Sequence, residues 1–254
     1  MIYLTGDTHG NVERILNPNI FPEKFNLCKD DYVIICGDFG IIWDYKGKNK
    51  EEEKLLDRLE RAPYTTLFLD GNHENFDRLN KYPVEIWNGG EVHKIRPNII
   101  HLMRGQVFNL QGKKFFTFGG AQSHDVSDGI LNPNDIDKIR AWNNDPTKMF
   151  RINHISWWKE ELPSDDEMLK GLLNLKEAKY KVDFVLTHCA PISDAILLGH
   201  KKGRDFSKTD ILTRYLEGIK QKLQYTRWFF GHYHLNDQVN DKDICIYEQI
   251  IRIL

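Results

Sequence analysis

The chain alternates between short apolar segments and longer stretches that are polar, charged or rich in glycine. Apolar segments of three to five residues with many aromatic and β-branched side chains are typical of strands buried on both faces of a sheet. Strands are therefore predicted at residues 2–4, 32–36, 66–69, 115–118, 184–186 and 228–230.

Between several of these segments the apolar residues recur every three or four positions, which is the spacing of one helix face. This spacing predicts helices at residues 51–62, 165–180 and 209–223. Strands that alternate with helices indicate an α/β layered fold. In the second helix the buried face is expected to consist of Met168, Leu172, Leu173 and Leu175.

The middle of the chain has a different pattern. Residues 84–120 consist of short apolar segments separated by turn sequences such as Asn88-Gly89-Gly90, which predicts hairpins and therefore a mixed sheet. Residues 123–163 show little periodicity but contain Trp142, Trp157 and Trp158, and they are interpreted as an ordered insertion. Because no repeat or linker is visible, residues 1–254 are interpreted as a single domain that carries this insertion.

Composition narrows the class of protein. The 254 residues include 41% hydrophobic and 28% charged side chains, which excludes an intrinsically disordered chain. The 35 basic and 37 acidic side chains give a formal net charge of -2, so net charge does not support a nucleic-acid partner. No apolar run approaches the ~20 residues that span a bilayer. The first residues carry no signal pattern, so a cytoplasmic location is expected, with the four widely spaced cysteines as reduced thiols.

Polar clusters follow five of the predicted strands. The carboxyl ends of parallel strands form the ligand-binding edge of an open α/β sheet, so these clusters are expected to converge. Four of the five begin with glycine, which lets the backbone turn sharply. The clusters are Gly6-Asp7-Thr8-His9-Gly10, Gly37-Asp38-Phe39-Gly40, Gly71-Asn72-His73-Glu74, Thr187-His188-Cys189-Ala190-Pro191 and Gly231-His232-Tyr233-His234.

These clusters bring together aspartate and asparagine oxygens with several imidazoles, and they require no thiolate ligand. Such a donor set suits Mn²⁺, Fe or Zn²⁺. It is too large for one catalytic ion, which usually takes three protein ligands and a water. It suits two ions that share a carboxylate and activate a bridging water for in-line attack on phosphorus.

In this order the five clusters resemble the signature of the calcineurin-like metallophosphoesterase family, which is Asp-x-His, Gly-Asp, Gly-Asn-His-Glu/Asp, an isolated His and Gly-His-x-His. The resemblance spans residues 6–234. It implies an α/β fold in the form of a four-layer αββα sandwich with mixed sheets. It also implies two divalent metal ions at the strand ends, with Mn²⁺ as the expected metal and Fe or Zn²⁺ as alternatives.

The resemblance further implies a role for each residue of the motifs. Asp38 would bridge the two ions, and His73 would face the substrate as the catalytic acid. Glu74 has two open interpretations: a carboxylate that orients a histidine, or the N-terminal residue of a helix. The first ion would be held by Asp7, His9 and His234, and the second by Asn72, His188 and His232.

The chain departs from the protein Ser/Thr phosphatases of that family directly after Asp38. Those enzymes continue the motif as Gly-Asp-x-x-Asp-Arg-Gly, whereas this chain continues as Phe39-Gly40-Ile41-Ile42-Trp43 and lacks both charged groups. This departure argues against protein-phosphatase activity. Arg104 and Arg151 are candidates to replace the missing arginine, although a surface salt bridge is the simpler interpretation of each.

Two other segments have more than one interpretation. Residues 119–125 form a polar loop that either shapes the substrate pocket or is a plain turn. Trp157 and Trp158 are interpreted as buried packing, with the wall of a pocket or a base-stacking surface as the alternative.

The predicted function is therefore the metal-dependent hydrolysis of a phosphoric ester, with a phosphatase as the first candidate. A phosphodiesterase acting on nucleotides or nucleic-acid ends is the second candidate. A non-enzymatic binding module on the same scaffold is the third, and the complete ligand set together with His73 argues against it. The expected partner is a phosphorylated substrate, whose class the sequence leaves open together with the oligomeric state.

Overall fold

Seven α-helices and fifteen strands are present in the computed structural model, which describes residues 1–254. The helices are α1 (Glu13–Leu16), α2 (Lys50–Glu60), α3 (Phe76–Leu79), α4 (Ile136–Asn143), α5 (Asp165–Glu177), α6 (Ile192–Lys202) and α7 (Ile211–Lys220). The strands are β1 (Ile2–Thr5), β2 (Tyr32–Ile35), β3 (Thr65–Phe68), β4 (Val84–Trp87), β5 (Gly90–Arg96), β6 (Ile99–Leu102), β7 (Gln106–Leu110), β8 (Lys113–Phe118), β9 (Gly129–Leu131), β10 (Phe150–Ile152), β11 (Phe184–Thr187), β12 (Arg227–Phe230), β13 (Asp237–Gln238), β14 (Asp243–Cys245) and β15 (Ile251–Arg252). None of the helices is long and apolar enough to cross a membrane.

Two large mixed sheets contain most of the strands. Their strand orders are β15-β1-β2-β3-β6-β5-β4 and β13-β14-β12-β11-β8-β7. Strands β1, β2 and β3 run parallel to one another, as do β8, β11 and β12. The predicted hairpins of residues 84–120 are present as the antiparallel pairs β4–β5, β5–β6 and β7–β8. They are divided between the sheets, because β6 joins β3 and β8 joins β11.

Three hydrophobic cores separate four layers of structure. Alternate residues of a strand face opposite sides of its sheet, so one sheet can contribute to two cores. The central core lies between the sheets and contains Leu4 and Leu186. A second core joins the first sheet to α2 and contains Val33 and Leu56, and a third joins Trp228 of the other sheet to α5, α6 and α7. The layers are therefore helix, sheet, sheet and helix, which confirms the predicted αββα sandwich.

The predicted buried face of α5 is partly wrong. Leu172 and Leu173 are exposed, whereas Leu175 is buried and Met168 is half-buried. The helix approaches the sheet at Gly171, whose backbone lies so close to Gly105 that a side chain at Gly105 would clash with it. Because of this close approach, the side of α5 that carries residues 168, 171 and 175 faces the sheet, and the two leucines are exposed to solvent.

Residues 123–163 contain α4 and the short parallel pair β9–β10. Asp77 of α3 attaches this segment to the rest of the molecule, because its Oδ2 accepts hydrogen bonds from His154 Nδ1 and Trp158 Nε1, both at 2.8 Å. Trp158 is buried and packs edge-on against Trp43, with 5.5 Å between the ring centroids. The structure thus places this segment beside the loops that follow β2 and β3, while its description as an insertion in a single domain stays a prediction.

Candidate metal centre

Five loops meet at one edge of the two sheets. They follow β1, β2 and β3 of the first sheet and β11 and β12 of the second, so each sheet contributes ligand-type side chains. The parallel strands end at the same edge, which explains why clusters far apart in the sequence come together. The side chains in these loops form three overlapping groups that could each hold an ion: Asp7 with His9 and His234, His9 with Asp38 and His73, and Asp7 with Asp38 and His188.

The first group consists of Asp7, His9 and His234. The Nε2 atom of His234 lies 3.1 Å from Asp7 Oδ2 and 3.0 Å from His9 Nε2. Ligand atoms that occupy adjacent positions around one ion, with bonds of ~2.1 Å at right angles, lie ~3.0 Å apart. The spacing of these three side chains therefore matches that of ligands to a single ion.

The second set of ligands assigned from the sequence is Asn72, His188 and His232. His188 Nδ1 lies 2.9 Å from the carbonyl oxygen of Cys36, and this hydrogen bond directs Nε2 towards Asp38 Oδ1 at 3.4 Å. The rings of His188 and His232 lie edge-to-face with 5.1 Å between their centroids. Neither His188 Nε2 nor Asn72 Oδ1 has a hydrogen-bond partner, although both atoms are buried. Buried polar atoms are rarely left unpaired, so these two atoms fit a metal ion as the missing partner.

Asp38 lies between the first group and this second set of ligands. Its Oδ1 faces His188 Nε2, and its Oδ2 lies 3.8 Å from His9 Nε2. Burial by itself raises the pKa of Asp38, but the surrounding His188, His73 and His9 outweigh burial and hold that pKa well below its usual range. The carboxylate is therefore ionised, as a group shared between two cations must be.

Two buried carboxylates also act on His188. Burial lowers the pKa of this imidazole, yet Asp38 and Asp7 outweigh burial and raise it to about 10. His232 shows the opposite shift, because burial followed by the charge of His188 lowers its pKa to about 3. The carboxylates thus attract positive charge to the space between the side chains, as a cation site requires.

The backbone at this site is strained. Four of the residues that the sequence assigns to metal binding have a positive φ: His9 at 46°, Asp38 at 47°, His232 at 68° and His234 at 50°. Such conformations cost ~1–3 kcal/mol each in residues other than glycine and are concentrated at functional sites. These conformations lower the stability of the folded chain, and they direct the four side chains towards one point.

Glycine is required where the loops touch. A Cβ atom on Gly71 would lie 2.0 Å from Asp38 Oδ1, and one on Gly37 would lie 1.9 Å from His188 Nδ1. Gly37 also has a φ of 98°, which other residues rarely adopt. These contacts explain why the clusters begin with glycine.

His73 lies at the open side of these ligands. Its backbone N–H donates to Asp38 Oδ1 at 2.7 Å, and its ring packs edge-on against His9 with 4.8 Å between centroids. A ring nitrogen of His73 also lies within 4.8 Å of ligand atoms of His9 and Asp38. The sequence assigned it to the substrate rather than to a metal, and that assignment stays a prediction.

Glu74 precedes helix α3 (Phe76–Leu79), as one interpretation states, but its carboxyl binds a neighbouring loop instead of the end of that helix or a histidine. Its carboxyl accepts hydrogen bonds from the backbone N–H groups of Phe39 at 2.7 Å and Gly40 at 3.4 Å. Helix α3 begins two residues later, with Asn75 as its N-cap. Glu74 therefore fixes the loop that carries Asp38. Burial, together with the charges of Asp38 and Asp70, raises its pKa well above the usual range.

The arginines named from the sequence are ion-paired but are not surface residues. Arg104 is buried and binds Asp70 Oδ2 through Nε at 2.8 Å and Nη2 at 2.6 Å. Arg151 binds Asp125 and reaches His73, with 3.4 Å between Nη2 and His73 Nε2. Of the two arginines, only Arg151 makes a direct contact with a residue of the motifs.

Two residues near the motifs were not singled out from the sequence. The ring centroids of Trp43 and His73 are 5.7 Å apart, and Ser123 Oγ lies 3.4 Å from Asn72 Nδ2. Ser123 belongs to the polar loop at residues 119–125, so this loop does border the site. The position of Trp43, three residues after the second motif, was the available signal for its contact with His73.

The cysteines beside the motifs are not reactive. Cys36 and Cys189 are free and buried, and burial raises the pKa of each thiol, that of Cys189 to about 12. Both are therefore protonated at neutral pH, in agreement with the reduced thiols expected from the sequence.

Comparison with known proteins places this site in a family. The family model described as calcineurin-like phosphoesterase matches residues 1–236. Similar curated proteins include the lariat debranching enzymes of Danio rerio (23% identical over 256 residues, covering 92% of this chain and 40% of that protein), Schizosaccharomyces pombe (26% over 256 residues, 90% and 47%) and Homo sapiens (22% over 262 residues, 92% and 42%). The chain spans less than half the length of these relatives. Since the family model covers most of the chain and all five motifs, this protein belongs to the calcineurin-like phosphoesterase family.

Proposed function

We propose that this chain hydrolyses a phosphoric ester with two divalent metal ions held by the five converging loops. Membership of the phosphoesterase family supplies the class of reaction. The single observation that carries the proposal is the pair of buried atoms, His188 Nε2 and Asn72 Oδ1, that lack partners beside Asp38. A binding module without metals would leave Asn72 Oδ1 buried and unpaired, at a cost of ~1–3 kcal/mol, and would leave His188 Nε2 with only the Asp38 carboxylate at 3.4 Å.

Each proposed ligand has a place in this arrangement. Asp38 would be the anion shared by the two ions, and Asn72 would add an oxygen ligand without adding negative charge. When bound, two such ions supply an acidified water and stabilise the charge on the phosphoryl oxygens. Mixed oxygen and imidazole ligands favour Mn²⁺, with Fe or Zn²⁺ as alternatives. The first ion is assigned to Asp7, His9 and His234, and the second to Asn72, His188 and His232.

His73 is the proposed catalytic acid. Its imidazole lies at the open side of the site, where it can give a proton to the leaving alcohol oxygen as the phosphorus–oxygen bond breaks. Burial lowers the pKa of His73 to about 4, with Asp38 opposing and Arg151 adding to the shift. A substrate phosphate bound next to the ring would act like Asp38 and raise that pKa, so that the proton is held when substrate is present.

A phosphodiester is the second candidate substrate. The relatives described above are named for debranching lariats. If a phosphoesterase removes a branch, the phosphate must join two groups, which makes it a diester. The missing Asp-Arg pair after Asp38 supports the same alternative, because a doubly charged monoester benefits from a bidentate arginine.

The test combines metal analysis with two substrates. Purified protein is analysed for Mn, Fe and Zn and is then assayed with p-nitrophenyl phosphate and bis-p-nitrophenyl phosphate in the presence of Mn²⁺. We expect two metal ions per chain and hydrolysis of at least one ester, followed by a panel of nucleotides, nucleic-acid ends and phosphopeptides. Protein that retains no metal and hydrolyses neither ester would instead be the binding module.

A further inference from the structure

Arg151 and Asp125 form a fixed ion pair beside the proposed catalytic acid. The Arg151 guanidinium binds Asp125 through Nε to Oδ1 at 2.8 Å and through Nη2 to Oδ2 at 2.7 Å. Its Nη1 donates to the carbonyl oxygen of Ser156 at 3.0 Å. Only 11% of the Arg151 side chain is exposed, so the three contacts hold the guanidinium in one position.

This pair leaves one edge of the guanidinium directed at the site. Nη2 has two hydrogens, and besides Asp125 it faces His73 Nε2 at 3.4 Å. A phosphoryl oxygen next to His73 would therefore lie within reach of this N–H group. Arg104 offers no such group, because its Nε and Nη2 are bound to the buried Asp70 and to the carbonyl oxygen of Glu160.

Asp125 cancels the charge of this arginine. Burial raises the pKa of Asp125, but its hydrogen bonds to Arg151 outweigh burial and lower the pKa, so the carboxylate is ionised at neutral pH. The pair then offers the substrate a hydrogen-bond donor without net positive charge. Asp125 therefore offsets much of the extra attraction that a second negative charge on the substrate phosphate would gain from Arg151 alone.

We propose that Asp125 is a specificity-determining residue, which shifts the preference of the site from a doubly charged phosphomonoester towards a singly charged phosphodiester. This inference rests on the proposed function and goes further, because it selects between the two candidate substrate classes. It also predicts opposite effects for the two members of the pair. Removing the charge of Asp125 exposes the positive charge of Arg151, whereas removing that of Arg151 exposes the negative charge of Asp125.

The experiment measures the ratio of kcat/KM for p-nitrophenyl phosphate to that for bis-p-nitrophenyl phosphate at pH 8 with saturating Mn²⁺. We expect Asp125→Asn to raise this ratio roughly tenfold, since one unit charge within several ångströms is removed. Arg151→Gln should lower the ratio. Asp128→Asn is the matched control, because Asp128 lies in the same segment and pairs with Lys148 at 2.7 Å; its ratio should stay within about twofold of the wild-type value.

Binding gives a readout that does not depend on turnover. Isothermal titration calorimetry of the Mn²⁺-loaded protein should show that Asp125→Asn binds inorganic phosphate, which is mostly doubly charged at pH 8, more tightly than wild type. Affinity for the singly charged dimethyl phosphate should change little. Asp125→Ser serves as a second variant if thermal unfolding shows that the asparagine variant is damaged.

The outcomes separate the inference from the proposed function. If the wild type hydrolyses neither ester, the proposed function fails, and the calorimetry still decides the role of Asp125. If the esters are hydrolysed but the ratio and the phosphate affinity of both Asp125 variants match the wild type, the specificity role is overturned. A ratio that moves in the same direction for the Asp125 and Arg151 variants would also contradict it.

Discussion

Asp38 is the residue on which the two groups of proposed ligands depend, because its two oxygens face His188 and His9. Asp38→Asn keeps the volume of the side chain but removes the anion that would hold both cations. We expect loss of bound metal and at least a ~10²-fold lower kcat/KM, the size of effect for several kcal/mol of charge stabilisation. Asp30→Asn, on the exposed surface, is the control. Two ions per chain and a normal rate in Asp38→Asn would contradict the bridging role.

His73 should behave differently from a metal ligand. In His73→Ala the metal content should persist, because the proposed role is proton donation to the leaving group. General acid catalysis contributes ~10²- to 10⁴-fold and matters most when the leaving alkoxide is a strong base. The loss of kcat/KM should therefore be much larger for an alkyl ester than for a p-nitrophenyl ester, measured at matched metal saturation. Equal losses would exclude protonation of the leaving group, and loss of metal would make His73 a ligand.

Glu74 offers a test of how the Asp38 loop is held. Glu74→Ala leaves the N–H groups of Phe39 and Gly40 without their acceptor, at a cost of ~1–3 kcal/mol in the free energy of unfolding. Glu74→Gln retains an acceptor oxygen, and burial, which raises the pKa of Glu74, favours a neutral side chain at this position. The glutamine variant should therefore be much closer to wild type in urea unfolding. Equal losses for the two variants would show that the negative charge is required.

At the scale of single residues, the motifs predicted which residues meet, because each motif lies directly after a strongly apolar strand. They did not predict Asp125 with Arg151, which are 26 residues apart in a segment without periodicity. They also gave the wrong partners for Glu74. Side-chain to backbone contacts such as that of Glu74 with Phe39 depend on how two loops pack, and no local pattern records that packing.

At the scale of elements, the apolar segments predicted the central strands well because those strands are buried on both faces. Helix α6 was not predicted, since it begins after Pro191 without a side-chain cap and since Asp194 is buried whereas Ile196 and Leu197 are exposed, which breaks the usual pattern of one apolar face. The face of α5 was misjudged because Gly171, not a leucine, makes the close contact with the sheet. Helix contacts through small residues leave no hydrophobic signal in a sequence.

One buried cluster of charged side chains connects α6, α7 and β14, and it makes the free energy of unfolding depend on pH. Lys220 of α7 binds both Asp194 of α6 at 2.5 Å and Asp243 of β14 at 2.7 Å. Burial raises the pKa of Asp194 to about 7, with Lys220 opposing and Asp243 adding to the shift. An aspartate in the unfolded chain has a pKa of ~3.9. Between these values only the folded chain keeps the proton, so the contribution of Asp194 to stability falls as pH rises from ~4 to 7.

We therefore expect Asp194→Asn, which resembles the protonated form, to gain in Tm relative to wild type as pH rises from 5 to 8. A relative gain of ~2–4 °C would correspond to about 1 kcal/mol in a protein of this size. Asp237→Asn is the control. Because the hydrogen bond to Lys202 lowers the pKa of Asp237, this variant should show no such gain in Tm. The measurement is differential scanning fluorimetry in EDTA. A constant difference between Asp194→Asn and wild type across this range would contradict the raised pKa.

At the scale of the whole molecule, the proposed metal ions would connect the two sheets at one edge. The first sheet supplies Asp7, Asp38 and Asn72, whereas the second supplies His188 and His232 through the loops after β11 and β12. Without cations, the buried Asp38 and Asp7 attract a proton to the His188 imidazole, and the pKa of His188 rises to about 10 as a result. Metal binding to the folded chain should therefore stabilise the entire sandwich rather than one loop.

The expected effect of metal follows from binding linkage. An ion present at 100 times its Kd stabilises the folded state by ~2.7 kcal/mol, which corresponds to a rise in Tm of ~5–10 °C for a chain of this size. Protein stripped with EDTA and then supplied with Mn²⁺ should show this rise at pH 7.5. Asp38→Asn should lose most of the rise, whereas Asp30→Asn should retain it, which separates binding at this site from binding elsewhere on the surface. If Mn²⁺, Fe²⁺ and Zn²⁺ all leave the Tm of the stripped wild type unchanged, the five loops do not form a metal centre, and the unpaired atoms of His188 and Asn72 need another partner.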